Sequence, residues 1–124
     1  QYIAAAQYVH QQYIPTDREL TDEEKELVRY LLDMGKPEAY RFIPQIKEAR
    51  VRSQCECGCF CINFIDNYED ERFILAEYKS DYPDGGQFCV FVVAVNEVLG
   101  GIDFWALDKW GNYDDDPNRP LPSF

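Results

Sequence analysis

Apolar positions follow two regimes along this chain: helical spacing as far as Glu48, then alternation from Val51 onward. Tyr2, Ala5, Ala6, Val9 and Tyr13 share one helical face, which predicts a helix over 1–13. Pro15 ends it, and Thr16 to Leu20 reads as a link. The second helical stretch has a clearer start. Thr21 is placed to cap, Glu24 can reach back to the Thr21 amide, and the acidic first turn suits the positive end of the helix dipole. Leu27, Val28, Leu31 and Leu32 form its buried stripe, and Gly35 is expected to stop it in a left-handed conformation. Pro37 suits the first position of a further helix whose apolar side is Ala39, Phe42, Ile43 and Ile46, kinked at Pro44.

From Val51 the period becomes two. Val51, Cys55, Cys57, Cys59 and Cys61 share one parity, while Arg52, Gln54 and Glu56 occupy the other. After Gly58 the second parity turns apolar with Phe60, Ile62 and Phe64, so one strand is expected to run through the whole stretch. Asp66 to Glu71 is a polar turn, Phe73 to Tyr78 a second strand, and Tyr82-Pro83-Asp84-Gly85-Gly86 a reversal. Phe88 to Val95 is apolar on both parities and is expected as the central strand. Asn96 to Gly101 reads as a turn before a fourth strand, Gly101 to Leu107.

Helices followed by strands with short links predict an α+β fold: N-terminal helices packed on a roughly four-stranded antiparallel meander. The expected organisation is a helical arm over 1–19, an α+β domain over 20–108, and an irregular tail over 109–124 rich in Pro, Asp and Asn. A helix pair covers one face of a sheet, yet Phe88 to Val95 demands cover on both. A terminus of the same chain is the expected cover, with a homodimer as the alternative to a monomer.

Composition sharpens this. The chain has 124 residues, 46% hydrophobic and 15% aromatic, enough for one core. No apolar run is long enough to cross a bilayer, and Tyr2 to Tyr13 lacks the basic start and apolar centre of an intact signal peptide. The net charge of −11 argues against direct nucleic-acid binding and fits a basic partner steered to an acidic surface. Five cysteines, four of them bunched, are unlike a secreted disulfide framework, and a reducing, cytoplasmic setting is expected.

Leu31-Leu32, Gln45-Ile46, Arg50-Val51 and Cys55-Glu56-Cys57-Gly58-Cys59 together resemble a group of small uncharacterised bacterial proteins. In that group a Cys-x-Cys-Gly-Cys motif enters a strand, and a glycine-containing turn, here Gly100-Gly101, precedes the last strand. The resemblance spans about Leu20 to Pro122, implies a bacterial origin, and assigns no activity. Cys61 and Cys89 fall outside its motif.

The thiols of Cys55, Cys57, Cys59 and Cys61 are the right ligand type for zinc, with His10 or Cys89 as further donors. On an extended strand, however, alternate residues lie roughly 6.5–7 Å apart. That is poor spacing for sulfurs each about 2.3 Å from one ion, unless the chain bends at Gly58. Packing as small hydrophobes is the competing use, and a strained Cys-x-Cys disulfide is a third. No catalytic constellation stands out. His10 is the only histidine, Asp114-Asp115-Asp116 is a charge run on a tail, and no glycine loop precedes a helix.

The expected function is therefore a small acidic protein-binding domain rather than an enzyme, in a narrower version an immunity- or antitoxin-like neutraliser of a basic partner. Its contact residues would be Asp103, Trp105, Asp108, Trp110, Asp114, Asp115 and Asp116, with no cofactor. The alternatives are a zinc-binding domain on Cys55 to Cys61 and a structural domain of unknown function.

Overall fold

The structure, a computed structural model, describes residues 13–56, 61–66 and 70–112. It is α+β, with strand β1 (Tyr13–Glu19), helix α1 (Asp22–Met34) and a 3-10 helix (Pro37–Glu48), then β2 (Arg50–Cys55), β3 (Ile62–Asn63), β4 (Phe73–Asp81), β5 (Gln87–Val95) and β6 (Val98–Leu107). The sheet has six antiparallel strands, not four, in the order β1-β2-β3-β6-β5-β4. It is not a simple meander: two three-stranded meanders meet where β3 pairs with β6, and the link from β3 to β4 passes two strands.

The first element corrects the expected helical arm. Tyr13–Glu19 is an edge strand on β2, with Tyr13 opposite Cys55 and Glu19 opposite Arg50. Pro15 is compatible with this because an edge strand needs only one side of its backbone. One extra residue in β1 between Pro15 and Arg18 forms a bulge, where Asp17 meets Arg50 at 2.8 Å. The rest of the expected arm, 1–12, and the tail beyond Asn112 lie outside the described residues.

Helix α1 begins as its sequence dictates. The Glu24 amide donates to Thr21 Oγ1 (3.1 Å) and the Thr21 amide donates to Glu24 Oε1 (2.8 Å), a complete capping box. Its stop differs from expectation. Gly35 is extended (φ −74°), and its requirement is space: a Cβ there would lie 3.0 Å from Leu75 O and 3.1 Å from Ala39 Cβ. Pro37–Glu48 winds as 3-10 rather than as a kinked α-helix; Pro44 has no amide to donate, so an uninterrupted α-helical ladder cannot pass it.

β5 separates two packed faces. Val90, Val92 and Ala94 join Leu27, Val28, Leu31, Leu32, Ala39, Phe42 and Ile46 in the main core. Cys89, Phe91 and Val93 pack on the other side with Ile74 and Trp105. Burial on both sides is what the unbroken apolar run requires. β5 lies between β6 and β4, so the middle of the sheet is the β3–β6 pair.

The β5–β6 turn is also tighter than the pattern suggested. Only Asn96 (φ 51°) and Glu97 (φ 67°) lie outside the strands. Left-handed conformation at both central residues is the geometry of a two-residue hairpin that follows strand twist. Gln45 ties this turn to the helical layer, its Oε1 accepting from the Leu99 amide at 2.7 Å.

Candidate functional site

The cysteine run is where sequence and structure differ most. β2 ends at Cys55 and β3, antiparallel to it, begins at Ile62, so the one strand expected here is two. The chain reverses, and the Cys55 amide donates to the Cys61 carbonyl at 3.0 Å across a hairpin. Cys55 and Cys61 are both buried, while Cys57 and Cys59 lie outside the described residues. The spacing objection to zinc, which assumed an extended chain, does not apply to this pair.

Cys61 has a further task. Its thiol donates to the Phe104 carbonyl (3.2 Å) and accepts from the Phe104 amide (3.3 Å). β3 begins one residue later, so this sulfur occupies the place a ladder partner would take and satisfies both polar groups of Phe104. Cys89 sits on β5 among Phe91 and Val93. Burial pushes its thiol up to about 12, with Glu77 adding to the effect, so it stays protonated and unreactive near neutrality. His10 lies outside the described residues.

The expected contact residues separate into three groups. Asp103 is withdrawn from any surface. It is 4% exposed, and the guanidinium of Arg72, 3% exposed, lies against it with Nη2 to Oδ1 at 3.2 Å and Nε to Oδ2 at 3.4 Å. Burial pushes the Asp103 carboxyl up, to about 8. The adjacent guanidinium, which cannot shed its proton, opposes that push. Enclosed and paired in this way, Asp103 is not on a surface where a partner would meet it in this structure.

Gly101 makes the ion pair sterically feasible. Its φ is +152°, and a Cβ would fall 2.3 Å from the Ile62 carbonyl and 3.3 Å from Arg72 Nη2. Beside it, Asn63 Nδ2 donates to Ser53 Oγ at 3.0 Å, both residues buried. The buried polar patch thus joins β2, β3, β6 and the chain entering β4. Nothing in the local pattern announced it, because Arg72 follows a run read as a polar turn.

Trp105 packs against Cys89, Phe91 and Val93, half-buried, with Lys79 Nζ 5.8 Å from its ring centroid. That leaves Asp108 and Trp110. Asp108 Oδ1 accepts from the amides of Trp110 (2.8 Å) and Asn112 (3.0 Å). The Asp108 amide donates to Asn112 O at 2.8 Å, and the Gly111 amide to Asp108 O at 3.0 Å. This closed turn carries Trp110 outward, 76% exposed. Asp114, Asp115 and Asp116 lie outside the described residues. Among the described residues no helix is long and apolar enough to cross a membrane, and no group of three metal-ligating side chains converges.

No known protein family, curated protein or solved structure matches this chain, and nothing among those comparisons bears on the resemblance carried by the cysteine run.

Proposed function

We propose that this chain is a small acidic binding domain that meets a basic protein partner through the turn after β6. The observation behind this reading is Trp110. It has the greatest exposure, 76%, among the exposed large hydrophobic side chains of the described residues, on a backbone fixed by Asp108. An indole carried on a preformed turn loses little conformational freedom on docking, and tryptophan is prominent among residues that dominate interface energy. Lys109 Nζ lies 5.0 Å from the ring centroid and shields one face in the free protein. The net charge of −11 adds long-range attraction for a basic surface, and the three aspartates at 114–116 follow closely in sequence.

The test compares partners recovered by the wild-type chain and by Trp110→Ala from the source cell. A basic protein held by the wild type, released by high salt and lost with the variant is the expected result. Recovery of the same proteins by both chains overturns the reading. The narrower immunity-type version adds that the recovered protein is a toxin whose activity falls on binding.

A second reading, a zinc-binding domain, rests on the hairpin that sets Cys55 across from Cys61, and it requires the Cys61 thiol to give up its hydrogen bonds with Phe104. It predicts one equivalent of zinc in protein purified without chelator, and release of thiols titratable by a disulfide reagent when the metal is stripped. Substoichiometric zinc removes it.

A further inference from the structure

We propose that β4 is a docking edge for a second copy of this chain, the two β4 strands pairing antiparallel about a two-fold axis at Tyr78. Among the described residues β4 is the outermost strand on its side of the sheet. The Tyr82 amide donates to the Gly86 carbonyl at 2.7 Å, just beyond the β4–β5 ladder. Hydrogen-bonded pairs recur at every second residue of an antiparallel ladder. Ser80 opposite Phe88 and Tyr78 opposite Val90 therefore turn their amides and carbonyls toward β5. Glu77, Lys79 and Asp81 turn theirs outward, where a further strand would bond.

The side chains of those three residues are exposed and share one face of the strand, in the order negative, positive, negative. That order selects the occupant. A uniformly basic peptide would be repelled at Lys79 and a uniformly acidic one at Glu77 and Asp81. β4 read in the opposite direction has the same alternation, so a second copy becomes complementary when the axis is offset from Lys79 by one residue. With the axis at Tyr78, each Glu77 lies opposite Lys79 of the second copy, giving two cross-strand ion pairs. Moving the axis to Lys79 sets lysine against lysine and Glu77 against Asp81, while moving it to Glu77 sets glutamate against glutamate.

The flank of the strand carries exposed apolar surface. A groove of about 300 Å³ is lined by Met34, Gly35, Lys36 and the stretch Ile74 to Glu77. Met34 (48%) and Phe73 (44%) lie at this end with large apolar side chains half in solvent. Two chains of charge −11 also repel at long range, so the dimer forms more tightly as salt screens that repulsion. Docking of a basic partner has the opposite salt dependence.

The experiment is sedimentation equilibrium on the full chain from micromolar to millimolar concentration, at low and moderate salt. The variants are Glu77→Lys, Lys79→Glu and an equimolar mixture of the two. Both side chains are exposed, so the fold is checked simply by far-UV circular dichroism. Wild type is expected to show a concentration-dependent dimer. Each single variant replaces two attractive pairs with two repulsive ones and should weaken it by about tenfold or more. The mixture sets two lysines of one chain against two glutamates of the other and should restore association as a heterodimer. A wild type that stays monomeric throughout overturns the proposal, as do single variants that dimerise like wild type or a mixture that fails to associate.

Discussion

Arg72 and Asp103 meet at 3.2 Å on the sheet face away from the helices, both almost wholly out of solvent. Removing one partner strands a buried charge, whereas replacing both with apolar side chains leaves none. Asp103→Leu or Arg72→Met alone should therefore lower unfolding free energy by about 3–5 kcal/mol. Arg72→Met combined with Asp103→Leu should recover most of that loss. Urea denaturation of the four proteins measures it, and additive losses in the double variant would contradict the account.

Gly101 should be the least replaceable glycine of the sheet. Alanine there drives a Cβ into the Ile62 carbonyl at 2.3 Å and should cost about 3 kcal/mol. Gly111 supplies the control, since its φ is also positive (+83°) but no atom lies within 4 Å of the added Cβ. Gly111→Ala should cost only the backbone term, about 1 kcal/mol. Thermal unfolding of the pair separates steric exclusion from backbone strain.

Glu97 occupies the left-handed region at φ 67°, a position of the hairpin turn that favours glycine. Glu97→Gly should stabilise the fold by about 1 kcal/mol. The exposed ion pair it gives up with Arg41 offsets little of that. An increase in urea midpoint without a change in slope is the expected outcome.

Stability should fall with acid, in part through the start of α1. Burial pushes the Glu24 carboxyl up, but the Arg18 guanidinium at 2.9 and 3.0 Å and the Thr21 amide together outweigh it and hold it below its ordinary value. The Arg50 hydrogen bond likewise lowers Asp17. A carboxylate depressed in the folded state contributes stability that is present above its unfolded pKa, about 4.3 for glutamate. That contribution is lost as pH falls through the lower, folded value. Glu24→Gln should cost about 1 kcal/mol at neutral pH and flatten the acid limb of the stability profile.

What could be read from the sequence was local. Thr21 and Glu24 lie three residues apart and Leu27 to Leu32 span little more than a turn, so spacing alone locates α1. The run Phe88 to Val95 declares burial on both faces without reference to any other segment. The departures are all decided by distant partners. Tyr13–Glu19 becomes a strand because β2 is available to pair with it. Cys55 to Cys61 alternates like a strand, yet the pairing of β2 with β3 requires it to turn. Arg72 and Asp103 lie on separate elements, and no one-dimensional pattern connects a guanidinium beside a polar turn to a carboxylate in an apolar strand. Asp108 and Trp110 were legible as candidates, since a single residue separates them and an aspartate closing its own turn is a local motif.

The two-residue strand β3 has a consequence for how the molecule opens. Among the described residues, the ladder from β1 and β2 to the remainder of the sheet runs through Ile62 and Asn63, each paired once to β2 and once to β6, flanked by the hydrogen bonds of Cys61 with Phe104 and of Phe64 with Gly100. β4, β5 and β6 are linked by short turns and can assemble early, whereas Ile62 must find Ile102 across a long stretch of intervening chain. The sheet is thus two cooperative units with a narrow seam. Amide protons of β1 and β2 should exchange through a sub-global opening that leaves β5 and β6 protected.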